Sequence, residues 1–427
     1  MTPGPFRPGP LLLAGLAAAS TCDAQSASLA WPDYRGPGQE GHAAAAKVPL
    51  RWSETDNVRW KTAIPGQGWS TPAIANGRVW LTSATDNGQR LFVVAINADS
   101  GQLELERTLF EVDEPAPKHS LNSYASPSPV LDQERVYAHF GTFGTACLDA
   151  KTGDTLWVRD DIHCDHMVGP GSSPLLVDDL LVVPMDGGDV QYVIALDKQT
   201  GETTWRRPRE QDLAARTPDE RKAFSTPILI DVDNQRQLIS TGADATVSYE
   251  PATGDALWFV RHRGFSMSTR PVAGHGMVYL TTGFMRPRLL AVRTGGRGDV
   301  TETHVAWSYR RNVPTMPSPL LVDHRLYMVD NSNVATCLDA ISGERLWRHR
   351  LGSEHCASPL YAAGRIYYFD RDGKTVVIAP GDRYEELAVN QLEDGFMASP
   401  AVLGDALILR TRSHLYRIED DDAATGS

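Results

Sequence analysis

After residue 24 the chain carries no apolar run approaching the roughly 18 residues that a transmembrane helix needs, so no later segment is read as a spanning helix. Positive charge is also short. The formal net charge is -12, and Glu419, Asp420, Asp421 and Asp422 sit at the acidic end, which excludes the electrostatic footprint expected for nucleic acid or an anionic membrane surface. No helical 3.6-residue periodicity of useful length is present, and this disfavours helical solenoids. Several site signatures are missing as well: no Gly-x-Ser-x-Gly elbow, no His-Glu-x-x-His, no two-Cys, two-His finger and no adjacent Cys-Cys pair.

The first residues read as a targeting segment. Arg7 is the only cation before the apolar stretch from Leu11 to Ala19, which has the length of a secretory h-region and is too short to span a bilayer. A signal peptide over 1–24 is expected, cut near Ala24, with export to the periplasm or the extracellular space. A rival reading makes Cys22 a lipid-attachment cysteine and the product a membrane-anchored lipoprotein, although Ala19, Ser20 and Thr21 fit a lipobox poorly. Cys147, Cys164, Cys337 and Cys356 then remain, an even number that permits three pairings.

Two patterns recur in fixed order along the rest of the chain. A Pro opens an apolar strand, a tight turn and a second apolar strand at Pro72, Pro129, Pro174, Pro227, Pro271, Pro319, Pro359 and Pro400, and Ser or Thr precedes it everywhere except at Arg270. Turn pairs such as Asn76-Gly77, His275-Gly276 and Ala363-Gly364 sit between the strands, with residues suited to the positive φ of two-residue hairpins. The second pattern is a strand ending in Asp, a Thr-Gly or Ser-Gly turn, then Trp: Asp149 to Gly153 and Trp157, Asp197 to Gly201 and Trp205, Asp339 to Gly343 and Trp347. Thr253-Gly254 with Trp258 is a further copy, while Asn97 to Gly101 lacks the Trp, Trp307 lacks the Asp, and Leu387 stands where another Trp would fall.

Together these give a four-stranded unit repeated eight times, the sequence signature of an all-β, eight-bladed β-propeller. The last unit has three strands, and a lone strand around Trp60 precedes the first. An N-terminal strand completing the last blade closes the ring and removes its open edges. The expected layout is therefore 1–24 signal, 25–57 lead-in crossing one face, 58–419 propeller and 420–427 acidic tail.

The Asp-x-x-Thr-Gly-x-x-x-Trp units, the Ser-Pro strand starts and the lead-in WPDYRGPGQEG resemble the PQQ-binding-like β-propeller repeat proteins of the quinoprotein-like superfamily, from Trp31 to Glu419. The resemblance implies kinship in fold with the propeller lipoprotein of the outer-membrane β-barrel assembly machinery and, more distantly, with quinoprotein alcohol dehydrogenases. It implies fold more than function, because one fold hosts many functions.

The loops from the outer strand of one blade to the inner strand of the next converge at the channel mouth in such a fold. They hold Trp69, His119, Asn122, Tyr124, His163, Cys164, His166, Met167, Phe224, Met267, Arg270, Met316, His355, Cys356 and Met397, and the loops between second and third strands add Asp186, Asp189, Asp244 and Arg286. Imidazole and thiol groups suit a copper- or zinc-like ion, which makes His163, His166, His355 and Cys356 candidate metal ligands; the bland alternative is that they cap strands and fill the channel. Cys147 and Cys337 share one repeat position four blades apart and cannot bridge, so buried free thiols are expected there, with Cys164 and Cys356 left as a mouth pair.

The preferred function is an exported binding or scaffold module for a protein or glycan. The alternative is a redox enzyme with its site at the mouth. Quinoprotein dehydrogenases stack their quinone on a vicinal disulfide, so the lack of a Cys-Cys pair argues against PQQ, and the cofactor stays unassigned.

Overall fold

In the computed structural model the described residues are Met1, Gly4, 29–44 and 46–420. The expected targeting stretch from Leu11 to Ala19, Cys22 and the tail beyond residue 420 lie outside them. Eight antiparallel sheets form the ring, with inner strands Ala73–Ala75, Val130–Leu131, Leu175–Val177, Ile228–Val232, Val272–Gly274, Leu320–Val322, Leu360–Ala362 and Ala401–Leu403, here blades 1 to 8. Each inner strand starts directly after its repeat Pro, where the missing N–H removes no ladder bond. Strand Val58–Ala63 pairs antiparallel with His414–Ile418 and completes blade 8, so the ring is closed by chain from its other end. Among the described residues no helix is long and apolar enough to cross a membrane.

The second pattern works between blades as well as within them. Asp149, Asp197 and Asp339 each accept turn amide bonds through Oδ1, and Asn97 through Oδ1 and Glu250 through Oε2 do so in the degenerate copies. The turn Gly then receives the Trp of the preceding blade. A Cβ added to Gly201 would lie 2.8 Å from the Trp157 ring, and one on Gly343 would lie 2.6 Å from Trp307. The indole N–H groups finish the joint: Trp157 donates to Lys198 O, Trp205 to Pro251 O and Trp307 to Ala340 O. Blade 5 has no such turn, and the short strand Gly298–Asp299 runs parallel to the Trp258 strand instead, leaving Trp258 fully buried.

The core lies in the seams between blades. Val130, Tyr137 and Cys147 of blade 2 pack with Leu181, Val183 and Ile194 of blade 3, and the other interfaces repeat the arrangement. Cys147 and Cys337 sit in the same register, each opposite a Tyr and a Trp on the flanking strands, and both are buried free thiols. Cys164 and Cys356 are also free, which corrects the expected mouth pair.

The lead-in departs from expectation most. Its first part enters the channel, and only the part from Lys47 on crosses a face, along blades 7 and 8 on the hairpin side. Leu29–Trp31 pairs antiparallel with the inner strand of blade 1, starting from the hairpin end at Ala75 and climbing toward the mouth. After a turn, His42–Ala43 descends parallel to the inner strand of blade 7. The unpaired inner edges of a ring of strands leave backbone groups to satisfy, and this extended segment uses them.

Candidate functional site

At the top of the channel the residues before each Pro form two hydrogen-bonded arcs of four blades each. The amide of Thr71 donates to Ser128 Oγ at 2.9 Å, Ser128 to Ser173 Oγ at 2.9 Å, and Ser173 to Thr226 Oγ1 at 3.0 Å. The other half repeats it from Arg270 to Ser318, Ser358 and Ser399, at 2.9, 2.9 and 3.0 Å. The Ser/Thr-Pro pattern is thus a girdle that ties neighbouring blades within each arc.

The lead-in seals that level from below. Tyr34 Oη lies 3.2 Å from Ser318 Oγ and 3.1 Å from Ser358 Oγ. Arg35 donates to the carbonyls of Pro359, Pro319 and Glu40, and Gly41, at a φ of +79°, leaves room for the guanidinium, since a Cβ there would stand 2.7 Å from it. Arg270, buried in blade 5, donates to Asp33 at 3.2 Å and to Gln39 Oε1 at 3.1 Å. Burial pushes the Asp33 carboxyl up against the pull of Arg270, and burial brings Arg35 down to about 10.

Above Tyr34 opens a cavity of about 560 Å³. Its wall follows the repeat. The residue two positions before the girdle faces the cavity in every blade: Trp69, Ser126, Gly171, Phe224, Ser268, Met316, Cys356 and Met397. Four charged residues line it, and they are paired as Lys222 with Asp219 and Arg371 with Glu354, so the interior presents no unmatched charge.

Of the residues expected at the mouth, Trp69, His119, Asn122, Phe224, Met316, His355, Cys356 and Met397 line this cavity. Asn122 also clamps the next loop by donating to Val168 O and Pro170 O. The others do not line it. Tyr124 packs edge-on against Phe143 in the seam of blades 1 and 2. His163 stands exposed with Nδ1 3.0 Å from Thr142 O. Cys164 and His166 are buried behind the wall, where His166 Nε2 accepts from the Thr142 amide at 3.2 Å and burial lowers its pKa to about 4. Arg270 lies beneath the floor. Asp186, with side-chain exposure of 2%, is committed to Arg209 at 2.6 Å.

The four expected metal ligands therefore make no common site. Among the described residues no group of three or more His, Cys, Asp or Glu side chains is placed to hold a metal ion. Tyr34, Lys222, Phe265, Phe284 and Asn331 were not singled out from the sequence, although all line the cavity. Tyr34 carries no local signal because its partners lie 284 and 324 residues away.

With this geometry in place, the chain matches the family model described as outer membrane protein assembly factor BamB over residues 50–160, 90–217 and 189–425. The chain belongs to the BamB family. Its curated relative from Burkholderia pseudomallei (strain K96243), also called outer membrane protein assembly factor BamB, is 25% identical over 234 residues, 53% of this chain and 56% of the relative. The match thus spans little more than half the relative's length.

Solved structures give the fold. BamB from Moraxella catarrhalis superposes with a TM-score of 0.59 at 13% identity, over 84% of this chain and 99% of that one. A europium-containing methanol dehydrogenase gives 0.63 at 12% identity, over 90% of each chain. The BamB family and the quinoprotein dehydrogenases therefore share this ring with the present chain, and the site decides between their kinds of function.

Proposed function

We propose that the protein is an exported binding propeller of the BamB kind that receives a polypeptide, in extended apolar form, at the cavity face. The observation that carries this reading is the apolar rim of a channel closed from below. Phe284 is 54% exposed and Met285 72% exposed beside Phe265 and Phe224, and exposed apolar side chains gathered at a concave site mark a docking surface. Methionine and phenylalanine suit a partner of varied sequence because they adapt their shape.

A redox enzyme at the same mouth is supported less well. Its lining carboxylates, Asp219 and Glu354, are each engaged by a cation, which leaves neither poised as a base. Binding of a labelled, urea-denatured outer-membrane β-barrel protein, followed by fluorescence anisotropy, tests the proposal. Affinity should fall at least tenfold in the Phe284→Ser, Met285→Ser double variant. Equal binding by wild type and variant, or a stoichiometric quinone with dye-linked alcohol oxidation in protein from its native host, would overturn it. A glycan array run in parallel should stay blank.

A further inference from the structure

One wall of the cavity is built of sulfur. Met316, Cys356 and Met397 occupy the same register in blades 6, 7 and 8, whereas blades 2 to 5 place Ser126, Gly171, Phe224 and Ser268 there. Cys356 Sγ lies 3.9 Å from Met316 Sδ. Two sulfurs bound to one ion at about 2.3 Å each, the zinc–sulfur bond length, stand about 4 Å apart at tetrahedral to trigonal angles, so this pair needs little movement to share an ion. Beside Cys356, His355 also lines the cavity, is 1% exposed, and has an Nδ1 with no hydrogen-bond partner. The nearby carboxylate Glu354 is held by Arg371, so the donors left at this wall are thiol, thioether and imidazole. Soft donors of that kind select a soft or borderline ion over calcium or magnesium, and the two thioethers beside one thiol favour monovalent copper.

We propose that Met316, Cys356 and Met397 form a site for Cu(I) on the wall of blades 6 to 8, with the His355 imidazole as the neighbouring nitrogen donor. Binding breaks the Cys356 S–H bond, forms a copper–thiolate bond and releases the proton to solvent; the ion enters as Cu(I), and no electron is transferred. The donors come one blade apart in sequence, with 40 residues from Met316 to Cys356, which is why no compact metal motif announces them. The site stands independently of the polypeptide-binding reading, since the exposed apolar rim belongs to blade 5.

Anaerobic titration of the reduced full chain with Cu(I), buffered by a chromogenic chelator, tests the assignment. One equivalent should bind, with sulfur scatterers at about 2.3 Å in X-ray absorption. Cys356→Ser, Met316→Leu and Met397→Leu, which nearly preserve volume, should each weaken binding at least tenfold, while Cys164→Ser and Cys22→Ser leave it unchanged. Binding by wild type no tighter than by Cys356→Ser overturns the site. So does loss in Cys356→Ser alone with both Leu variants unaffected, which marks an adventitious thiol. Zinc bound as tightly as Cu(I) overturns the assignment of the site to copper. Thermal melts of each variant identify any that fail to fold, and the two Leu variants, which leave the thiol in place, then carry the test.

Discussion

Trp60 and Gly101 are joined across the point where the ring closes: the indole lies where a Gly101 Cβ would come within 2.7 Å of it, and Trp60 Nε1 donates to Ala98 O at 3.1 Å. The N-terminal strand thus repeats, between blades 8 and 1, the joint found elsewhere in the ring. Gly77 offers a control, since it has the same φ of +73° and no atom within 4 Å of an added Cβ. Gly77→Ala should cost about 1 kcal/mol for the backbone alone. Gly101→Ala should cost about 2 kcal/mol more, and Trp60→Ala about 3 to 5 kcal/mol. Urea unfolding of the three variants checks the order, and equal losses for the two glycines would refute the joint.

The lead-in should loosen when its anchor is cut. Arg270→Ser supplies the hydroxyl that the girdle lacks at blade 5 but leaves Asp33 buried beside no bonded cation, a loss of about 3 to 5 kcal/mol. Hydrogen exchange over residues 30–43 should quicken. Adding Asp33→Asn should recover much of the stability, and no recovery would place the effect elsewhere.

Acid should unfold the protein partly through buried imidazoles. Burial lowers His139 to about 3, with His166 adding repulsion, and lowers His166 to about 4 against the opposing pull of Asp165 and Asp189. Both values lie below the unfolded histidine value of about 6.5, so their neutral forms belong to the folded state. Stability is then full above about pH 6.5 and falls as pH drops toward the folded values. His166→Gln, whose amide oxygen can still accept from Thr142, should flatten that fall by on the order of 2 kcal/mol at pH 4. An unchanged slope would show that His166 does not titrate as its burial requires.

Export is expected from the stretch from Leu11 to Ala19 and from family membership. Fractionation and N-terminal sequencing should find a mature chain starting near Gln25, or at a lipid-modified Cys22. Cytoplasmic protein with Met1 intact would refute export.

The propeller was legible because its code is local. Pro at a strand start and Asp at a turn each act within a few residues, and repetition multiplies a weak signal, although each turn Gly meets the Trp of the preceding blade. The mouth was half legible for the same reason: Trp69, Phe224 and Cys356 share a repeat register, whereas His163 and His166 stood out by density alone, and the fold leaves one exposed and the other buried behind the wall. The plug was hidden. Asp33 and Arg270 are 237 residues apart, and nothing in WPDYRGPGQEG says whether it lies on a face or inside a channel.

The girdle is interrupted twice, and the interruptions are diametrically opposed. After Thr226 the next position is Arg270, whose Nε donates to Pro227 O instead. At the other gap Thr71 Oγ1 has no partner, and the buried Arg410 of blade 8 reaches across to Ser70 Oγ at 2.6 Å and Thr82 O at 3.0 Å. Two arcs of four blades are each laced by three short, stiff bonds; Arg410 latches one gap, and Arg270 together with the Ser225 Oγ to Thr269 O bond latches the other. Mechanically this is a clasped bracelet with two catches, so strain placed on the rim by a large guest would gather at the catches and leave the arcs intact.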